Sequence, residues 1–207
     1  MVELSLVIPV YNEEAMIEPL LGRIFSIVPS ITNDFEVICV DDGSRDQSLS
    51  RLIEYHNRDN RLKIISLSRN FGHQAAYTAG LEHAGGRYVV MMDGDLQDPP
   101  ELIPEMVNKA AEGNFDIVHA RRISRKEGFF KKLPAMVFHA AFKRLSSLEE
   151  VKNIGNFSLM NQTALQALLS FKEKNRYLPG LRFYIGLDRV LWSMSGRRDF
   201  PGRPRWG

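Results

Sequence analysis

The chain has 207 residues, 44% of them apolar and 25% charged, with a formal net charge of +2. That suits one domain with a sizeable core, or a core plus an appendage, of ordinary globular composition. The single cysteine, Cys39, excludes an internal disulfide and fits a reducing compartment. The first apolar run reads as a strand with no basic leader before it, so no signal peptide is expected, and no stretch approaches the roughly 20 apolar residues that span a bilayer.

Leu4 to Val10 reads as a buried strand with its proline near the end, where no ladder donor is needed. Tyr11-Asn12-Glu13-Glu14 then opens a helix, Asn12 being its expected N-cap, and Ile17, Leu20, Leu21, Ile24 and Ile27 keep helical spacing. Phe35 to Val40 is a second strand ending in Asp41-Asp42-Gly43-Ser44, with Ser44 as the expected cap of the helix that carries Leu49, Leu52 and Ile53. Leu62 to Leu67 is a third strand, followed by Ser68-Arg69-Asn70-Phe71-Gly72 and a helix from His73 to His83. Next come the apolar run Val89-Val90-Met91-Met92, a helix over 99–111 and a strand over 115–120. Such alternation of strands and helices with short connections predicts a mostly parallel, doubly wound α/β sheet.

Beyond residue 120 the regularity stops. A helix carrying Met136, Val137, Ala140 and Ala141, flanked by lysines, suits either a membrane surface or the core. Gly155 to Met160 reads as a short strand or turn, Asn161 caps a helix through Leu169, and a last strand is expected over 188–194. The end, 196–207, is rich in arginine, glycine and proline. Charge divides at the same place: residues 1–120 carry 9 basic and 19 acidic side chains, net −10, and residues 121–207 carry 18 and 6, net +12. An acidic half that needs a cation and a basic half that faces an anion are therefore expected; nucleic acid, anionic lipid and a phosphorylated acceptor would each suit the latter.

The chemistry concentrates at Asp93-Gly94-Asp95, where the fourth apolar run ends. Two carboxylates one residue apart repel unless a cation lies between them, and hard oxygen ligands without His or Cys nearby favour Mg²⁺ or Mn²⁺ over zinc. A divalent ion held by few protein ligands shares its shell with substrate phosphates. The bland alternative, a turn with solvated carboxylates, is disfavoured by the acids at two other strand ends, Glu13-Glu14 and Asp41-Asp42. Carboxylates accept hydrogen bonds from ribose hydroxyls and base N–H groups, so a nucleoside diphosphate fits with its base and ribose near Asp41 and Asp42. No G-x-G-x-x-G follows the first strand and no G-x-x-x-x-G-K-[ST] occurs, which argues against NAD-type Rossmann proteins and P-loop NTPases. Arg69 and Arg121 also follow strands and could meet phosphate or sugar oxygens, or simply pair with surface acids.

Val7-Ile8-Pro9-Val10-Tyr11-Asn12-Glu13, Val40-Asp41-Asp42-Gly43-Ser44, Arg69-Asn70-Phe71-Gly72 with Ala79-Gly80-Leu81, and Met92-Asp93-Gly94-Asp95-Leu96-Gln97-Asp98-Pro99 resemble the GT-A glycosyltransferases of family 2. More narrowly, they resemble dolichol-phosphate mannose synthases and bacterial polyprenyl-phosphate glycosyltransferases. The resemblance implies a GT-A fold with a Rossmann-like, nucleotide-sugar-binding half over 1–120 and a basic, acceptor-side half over 121–207. It further implies a UDP- or GDP-sugar donor, Mg²⁺ or Mn²⁺, and inverting transfer to a polyprenyl phosphate at the cytoplasmic side of the membrane. The expected partners are the donor, the lipid acceptor and a membrane surface, with no nucleic acid; a homo-oligomer is left open.

Residue by residue, the resemblance places Pro9, Tyr11, Glu13, Asp41 and Asp42 by the nucleoside, with Arg69 and Gly72 on the donor side. Asp93 takes the ribose or sugar side, Asp95 with Gln97 and Asp93 holds the metal, and Arg121 lies near the transferred sugar. Arg122, Arg203 and Arg205 are the expected acceptor-phosphate contacts. Gly155-Asn156-Phe157 stands where the family often has Gly-Asp-Phe, so Asn156 lies on the acceptor side but cannot be a general base. A lipid monophosphate is already an anion and needs none; a saccharide hydroxyl, the same-class alternative, would. Family members that use polyprenyl phosphate commonly continue into amphipathic and transmembrane helices, and this chain ends about where those begin, as a catalytic portion would. Two readings from other classes are weaker: a phosphohydrolase would place its D-x-D after the first strand, and a non-catalytic docking protein has no need of intact donor motifs.

Overall fold

A computed structural model describes residues 2–121, 154–171 and 176–193. In chain order the strands are β1 (Leu4–Val10), β2 (Phe35–Asp41), β3 (Leu62–Ser66), β4 (Tyr88–Met91), β5 (Ile117–Arg121), β6 (Ile154–Asn161) and β7 (Arg189–Ser193). The helices are α1 (Glu14–Ile27), α2 (Ser48–Arg58), α3 (His73–Leu81), α4 (Ile103–Gly113), α5 (Gln162–Leu169) and α6 (Leu178–Tyr184). The segment carrying Met136, together with Arg122, Arg203 and Arg205, lies outside the described residues.

The strands form one sheet in the order β3-β2-β1-β4-β6-β5-β7. β1 pairs in parallel with β2 and β4, β2 with β3 and β5 with β7, whereas β6 runs antiparallel to both neighbours. This is the mostly parallel α/β sheet expected, and strands from both sides of residue 120 share it. β1 and β2 are buried along their whole length because helices cover both faces. Leu4, Leu6, Ile8 and Val10 pack with Ile17, Leu20, Leu21 and Ile24 of α1, while Val7, on the opposite face, packs with Tyr77 and Leu81 of α3. The chain moves outward from β1 to β2 and β3, then returns to place β4 on the other side of β1. That reversal makes the carboxyl ends of β1 and β4 the switch point where ligands of such sheets bind.

Two expected caps are corrected by tertiary contacts. α1 starts at Glu14, and Asn12 lies before it with φ +53°. Its side-chain Oδ1 accepts from Arg45 N–H at 2.8 Å, and its own N–H donates to Ser44 Oγ at 3.0 Å. Ser44 is thereby engaged across the loop pair, and α2 begins four residues later at Ser48. Asn161, in contrast, caps α5 as expected, accepting from Ala164 N–H at 2.9 Å. α6 lies in a stretch for which the sequence reading named no element; Pro179 sits in its first turn, where its missing N–H has no partner to lose.

Candidate active site

Each wall of the switch-point cavity is fixed by hydrogen bonds between loops. The loop after β1 is laced to the loop after β2: besides the Asn12 pair, Glu13 N–H donates to Ser48 Oγ at 2.8 Å, and Gln47 N–H donates to Glu14 Oε2 at 2.9 Å. Asp42 then fastens the loop after β3. Its Oδ1 accepts from Phe71 N–H at 2.7 Å and its Oδ2 from Gly72 N–H at 2.9 Å. Gly43 permits this closeness: its φ is +68°, and a Cβ there would lie 2.5 Å from the Arg69 carbonyl carbon.

The loop after β4 is folded by its own carboxylates. Buried Asp98 accepts from Asp93 N–H at 3.0 Å, and Asp95 Oδ1 accepts from Gln97 N–H at 3.0 Å. Between them Leu96 has φ +61°, an uncommon conformation for leucine that turns the chain sharply at the tip of the motif. Gly94 passes close to the end of β1, where a Cβ would lie 3.1 Å from Pro9 O.

These loops enclose a cavity of about 310 Å³. Pro9, Tyr11 and Glu13 come to it from the β1 side, Asp42 from β2, Asn70 and His73 from beyond β3, and Asp93, Gly94 and Asp95 from β4. A second cavity of about 360 Å³ adjoins it at His73 and is lined also by Phe71, Gly72, Gln74, Arg176 and Tyr177.

Asp93 is the most elaborately held group. Tyr77 Oη donates to its Oδ1 at 2.8 Å, His73 Nε2 lies 3.1 Å from the same oxygen, and Asn156 Nδ2 donates to it at 3.3 Å. All three converge on Oδ1, and among the described residues no donor reaches Oδ2. Burial raises the carboxyl's pKa, but the His73, Tyr77 and Asn156 donors outweigh it and hold the group below the usual carboxylate range. His73 is correspondingly raised, first by its bond to Asp93 and further by the charges of Asp93, Asp42 and Asp95. Glu13 is raised by burial and then by the negative fields of Asp95 and Asp46.

Of the expected donor residues, Pro9, Tyr11, Glu13, Asp42, Asp93 and Asp95 are brought together around the first cavity, and Gly72 borders the second. Asp41 is buried at the end of β2 behind them, where its carboxylate accepts from Ser44 N–H at 3.3 Å. The Arg69 guanidinium lies 4.4 Å over the Phe71 ring and is not among the residues lining the cavity. Gln97 is exposed beside Asp95. Arg121 closes β5, and its side chain lies outside the described part. Sequence reasoning missed His73 and Tyr77. An i, i+4 pair of polar aromatics in the first turns of a helix that opens onto strand ends was the available signal.

A divalent cation suits this donor set. Asp95 is an exposed carboxylate on the cavity wall, Asp93 Oδ2 has no hydrogen-bond donor among the described residues, and after burial it is the charges of Asp95 and Asp46 that disfavour charge on Glu13. Among the described residues no three His, Cys, Asp or Glu side chains converge into a closed cage.

Comparison with known proteins follows the same direction. A glycosyltransferase of Synechocystis sp. is 38% identical over 206 residues, 99% of this chain and 64% of that protein. An undecaprenyl-phosphate 4-deoxy-4-formamido-L-arabinose transferase of Proteus mirabilis is 35% identical over 182 residues, 86% of this chain and 54% of that protein. The chain therefore spans between half and two thirds of the length of these relatives. A mannosyltransferase of Pyrobaculum calidifontis, solved with GDP-Man and Mn²⁺, superposes with a TM-score of 0.67 at 20% identity, over 93% of this chain and 55% of that one, which shows the shared fold. The family described as Glycosyl transferase family 2 matches residues 5–169, the stretch that contains every strand end of the cavity, and the chain belongs to that family.

Proposed function

We propose that this chain is the catalytic portion of an inverting glycosyltransferase that moves a sugar from a UDP- or GDP-sugar to a polyprenyl phosphate at a membrane surface. The observation that carries it is the gathering of Asp42, Asp93 and Asp95 around one cavity at the β1–β4 switch point. Residues 1–120 serve the donor and 121–207 the acceptor. The base and ribose lie against Tyr11, Glu13 and Asp42, and the diphosphate reaches the Asp93–Asp95 end. Asp95, with Asp93 and Gln97, would hold Mg²⁺ or Mn²⁺ there, and the chemistry such an ion would supply is Lewis-acid stabilisation of the leaving nucleoside diphosphate. Asp93, held through Oδ1, offers Oδ2 to the ribose or the sugar.

The acceptor reading draws on two facts. Asn156 bonds to Asp93 rather than offering a carboxylate, and a phosphate monoester attacks without a base. Relatives of the chain are named as undecaprenyl-phosphate sugar transferases. Arg121, Arg122, Arg203 and Arg205 are the proposed contacts of the acceptor phosphate, and the cytoplasmic face of the membrane is the proposed site of action. No helix among the described residues is long and apolar enough to cross a membrane.

The test is transfer from a panel of UDP- and GDP-sugars, with Mn²⁺, to a short polyprenyl phosphate, to the corresponding neutral polyprenol and to saccharides, with products identified by mass spectrometry. Product from the phosphate alone is expected. Product from saccharides and none from the lipid phosphate would overturn the acceptor reading while leaving the family intact.

A further inference from the structure

We propose that Arg182 is a positioning residue for Asp93, acting through Asn156. The inference rests on the reading of the first cavity as the donor site for its binding readout, and on geometry alone for the rest.

Arg182, on α6, is fully buried, and among the described residues all the hydrogen-bond partners of its guanidinium are neutral. Nη1 donates to Asn156 O at 2.8 Å, to Ser158 Oγ, and to Met91 Sδ at 3.4 Å; Nη2 donates to Gly155 O at 2.9 Å. Burial holds its pKa down to about 10. Burying a charge without a paired carboxylate is expensive, and an apolar side chain of similar size would pack the same space at less cost. What a guanidinium adds is a rigid planar fork that holds two successive carbonyls in fixed relation.

Those carbonyls lie where β6 loses its partners. β6 registers with β4 only from Ser158, opposite Met91, onward. On its other side it registers with β5 at Ser158 and again at Ile154, with an irregularity between. Gly155, Asn156 and Phe157 thus have no registered partner in either strand ladder, and the Arg182 fork takes the place of one. The bond from Asn156 Nδ2 to Asp93 Oδ1 is long, at 3.3 Å, so a small drift of this unladdered backbone breaks it. With Asn156 in place, three donors pin Oδ1 and leave Oδ2 for the ligand.

Wild type, Arg182→Lys, Asn156→Ala and the double variant are compared for Mn²⁺-dependent binding of UDP and GDP by calorimetry, with urea unfolding alongside. Lysine keeps the charge but not the fork. The proposal expects Arg182→Lys and Asn156→Ala each to weaken binding about 10-fold, as groups that orient a ligating carboxylate do. The double variant is then no weaker than the weaker single variant, because both act along one path. Factors that multiply in the double variant would overturn the proposal, as would an Arg182→Lys protein that loses stability with its nucleotide affinity intact. If Arg182→Lys does not fold, Ser158→Ala replaces it, removing one acceptor and keeping the guanidinium; the same coupling to Asn156→Ala is expected at smaller size, and additivity again overturns it. Wild type that binds neither nucleotide would sink the donor-site reading instead. A crystal structure of the Arg182→Lys or Ser158→Ala protein then decides: the proposal expects Asn156 Nδ2 to leave hydrogen-bonding distance of Asp93, and an unmoved amide contradicts it.

Discussion

The Tyr77 hydroxyl, on the second turn of α3, donates to Asp93 Oδ1 at 2.8 Å, joining a fully buried ring to the carboxylate at the end of β4. α3 is therefore both a core element and a support of the candidate active site. Tyr77→Phe keeps the ring and removes only that donor. It should cost about 2 kcal/mol of stability, the net worth of a hydrogen bond to a charged carboxylate. It should also weaken Mn²⁺-dependent nucleotide binding several-fold, because Asp93 would rest on His73 and Asn156 alone. Calorimetry and urea unfolding on the same preparation check both; full affinity in the variant would mean the hydroxyl serves only the core.

Gly43→Ala attacks the other wall. The new Cβ needs φ near +68° and would meet the Arg69–Asn70 backbone at 2.5–2.8 Å, with no flexible side chain to give way. Backbone strain and overpacking together predict a loss of about 3 kcal/mol. The displaced loop holds the Phe71 and Gly72 N–H groups against Asp42, so nucleotide affinity should fall with stability. An alanine variant with unchanged urea midpoint and affinity would show that the two loops do not press on each other as described.

At the opposite end of the strands lies a network that serves the fold alone. Glu36, buried on β2, accepts from Ser5 Oγ at 2.5 Å and from Gly85 N–H at 2.9 Å, and pairs with Lys63. Burial raises its pKa, but bonds from Lys63, Ser5 and Gly85 prevail and the net shift is downward. A carboxyl lowered in the folded state contributes stability above its unfolded pKa, and that contribution is lost as pH falls through the folded value. Glu36→Ala should cost about 2 kcal/mol at neutral pH by leaving Ser5 and Gly85 without their acceptor. Nucleotide affinity should not change. A large loss of affinity in a protein that still folds would mean the two ends of the sheet are coupled.

His119 makes a pH prediction. It is buried at the centre of β5 opposite Ser158, and neither ring nitrogen has a hydrogen-bond partner among the described residues. Burial, with the charges of Arg182 and Arg189, pushes its pKa down to about 3. The folded protein therefore keeps it neutral while the unfolded chain binds a proton below about pH 6.5. Stability should rise with pH between about 3 and 6.5, this group contributing at most about 1.4 kcal/mol per pH unit. His119→Leu should be neutral or stabilising at pH 7 and should flatten that acid limb. Urea midpoints at pH 4.5 and 7 measure it, and an unchanged slope would show that the imidazole is protonated in the fold.

What the sequence disclosed and what it withheld divide along a physical line. β1 and β2 were legible because unbroken apolar runs followed by acids specify a doubly covered strand and its end. Asp42, Asp93 and Asp95 came with them, since strand ends of one sheet must gather on one side. The caps at Asn12 and Ser44 failed because those side chains bond across 32 to 33 residues to each other's loop, and local rules count only neighbours. The antiparallel course of β6, the helix around Pro179 and the burial of Arg182 are equally nonlocal. Arginine and proline-glycine suggest surface when read alone, and only the packed sheet shows the fork turned inward.

The central claim is that the Asp93–Asp95 end of β4 binds a nucleoside diphosphate together with a divalent cation. Calorimetric titration of UDP and GDP into the wild-type chain and Asp95→Asn, with Mn²⁺ and with excess chelator, tests it most directly. The account predicts that one nucleotide binds wild type with Mn²⁺, and that chelator or Asp95→Asn weakens it by about 100-fold or more while the urea midpoint stays in place. Binding that is indifferent to the metal and to Asp95 would contradict it.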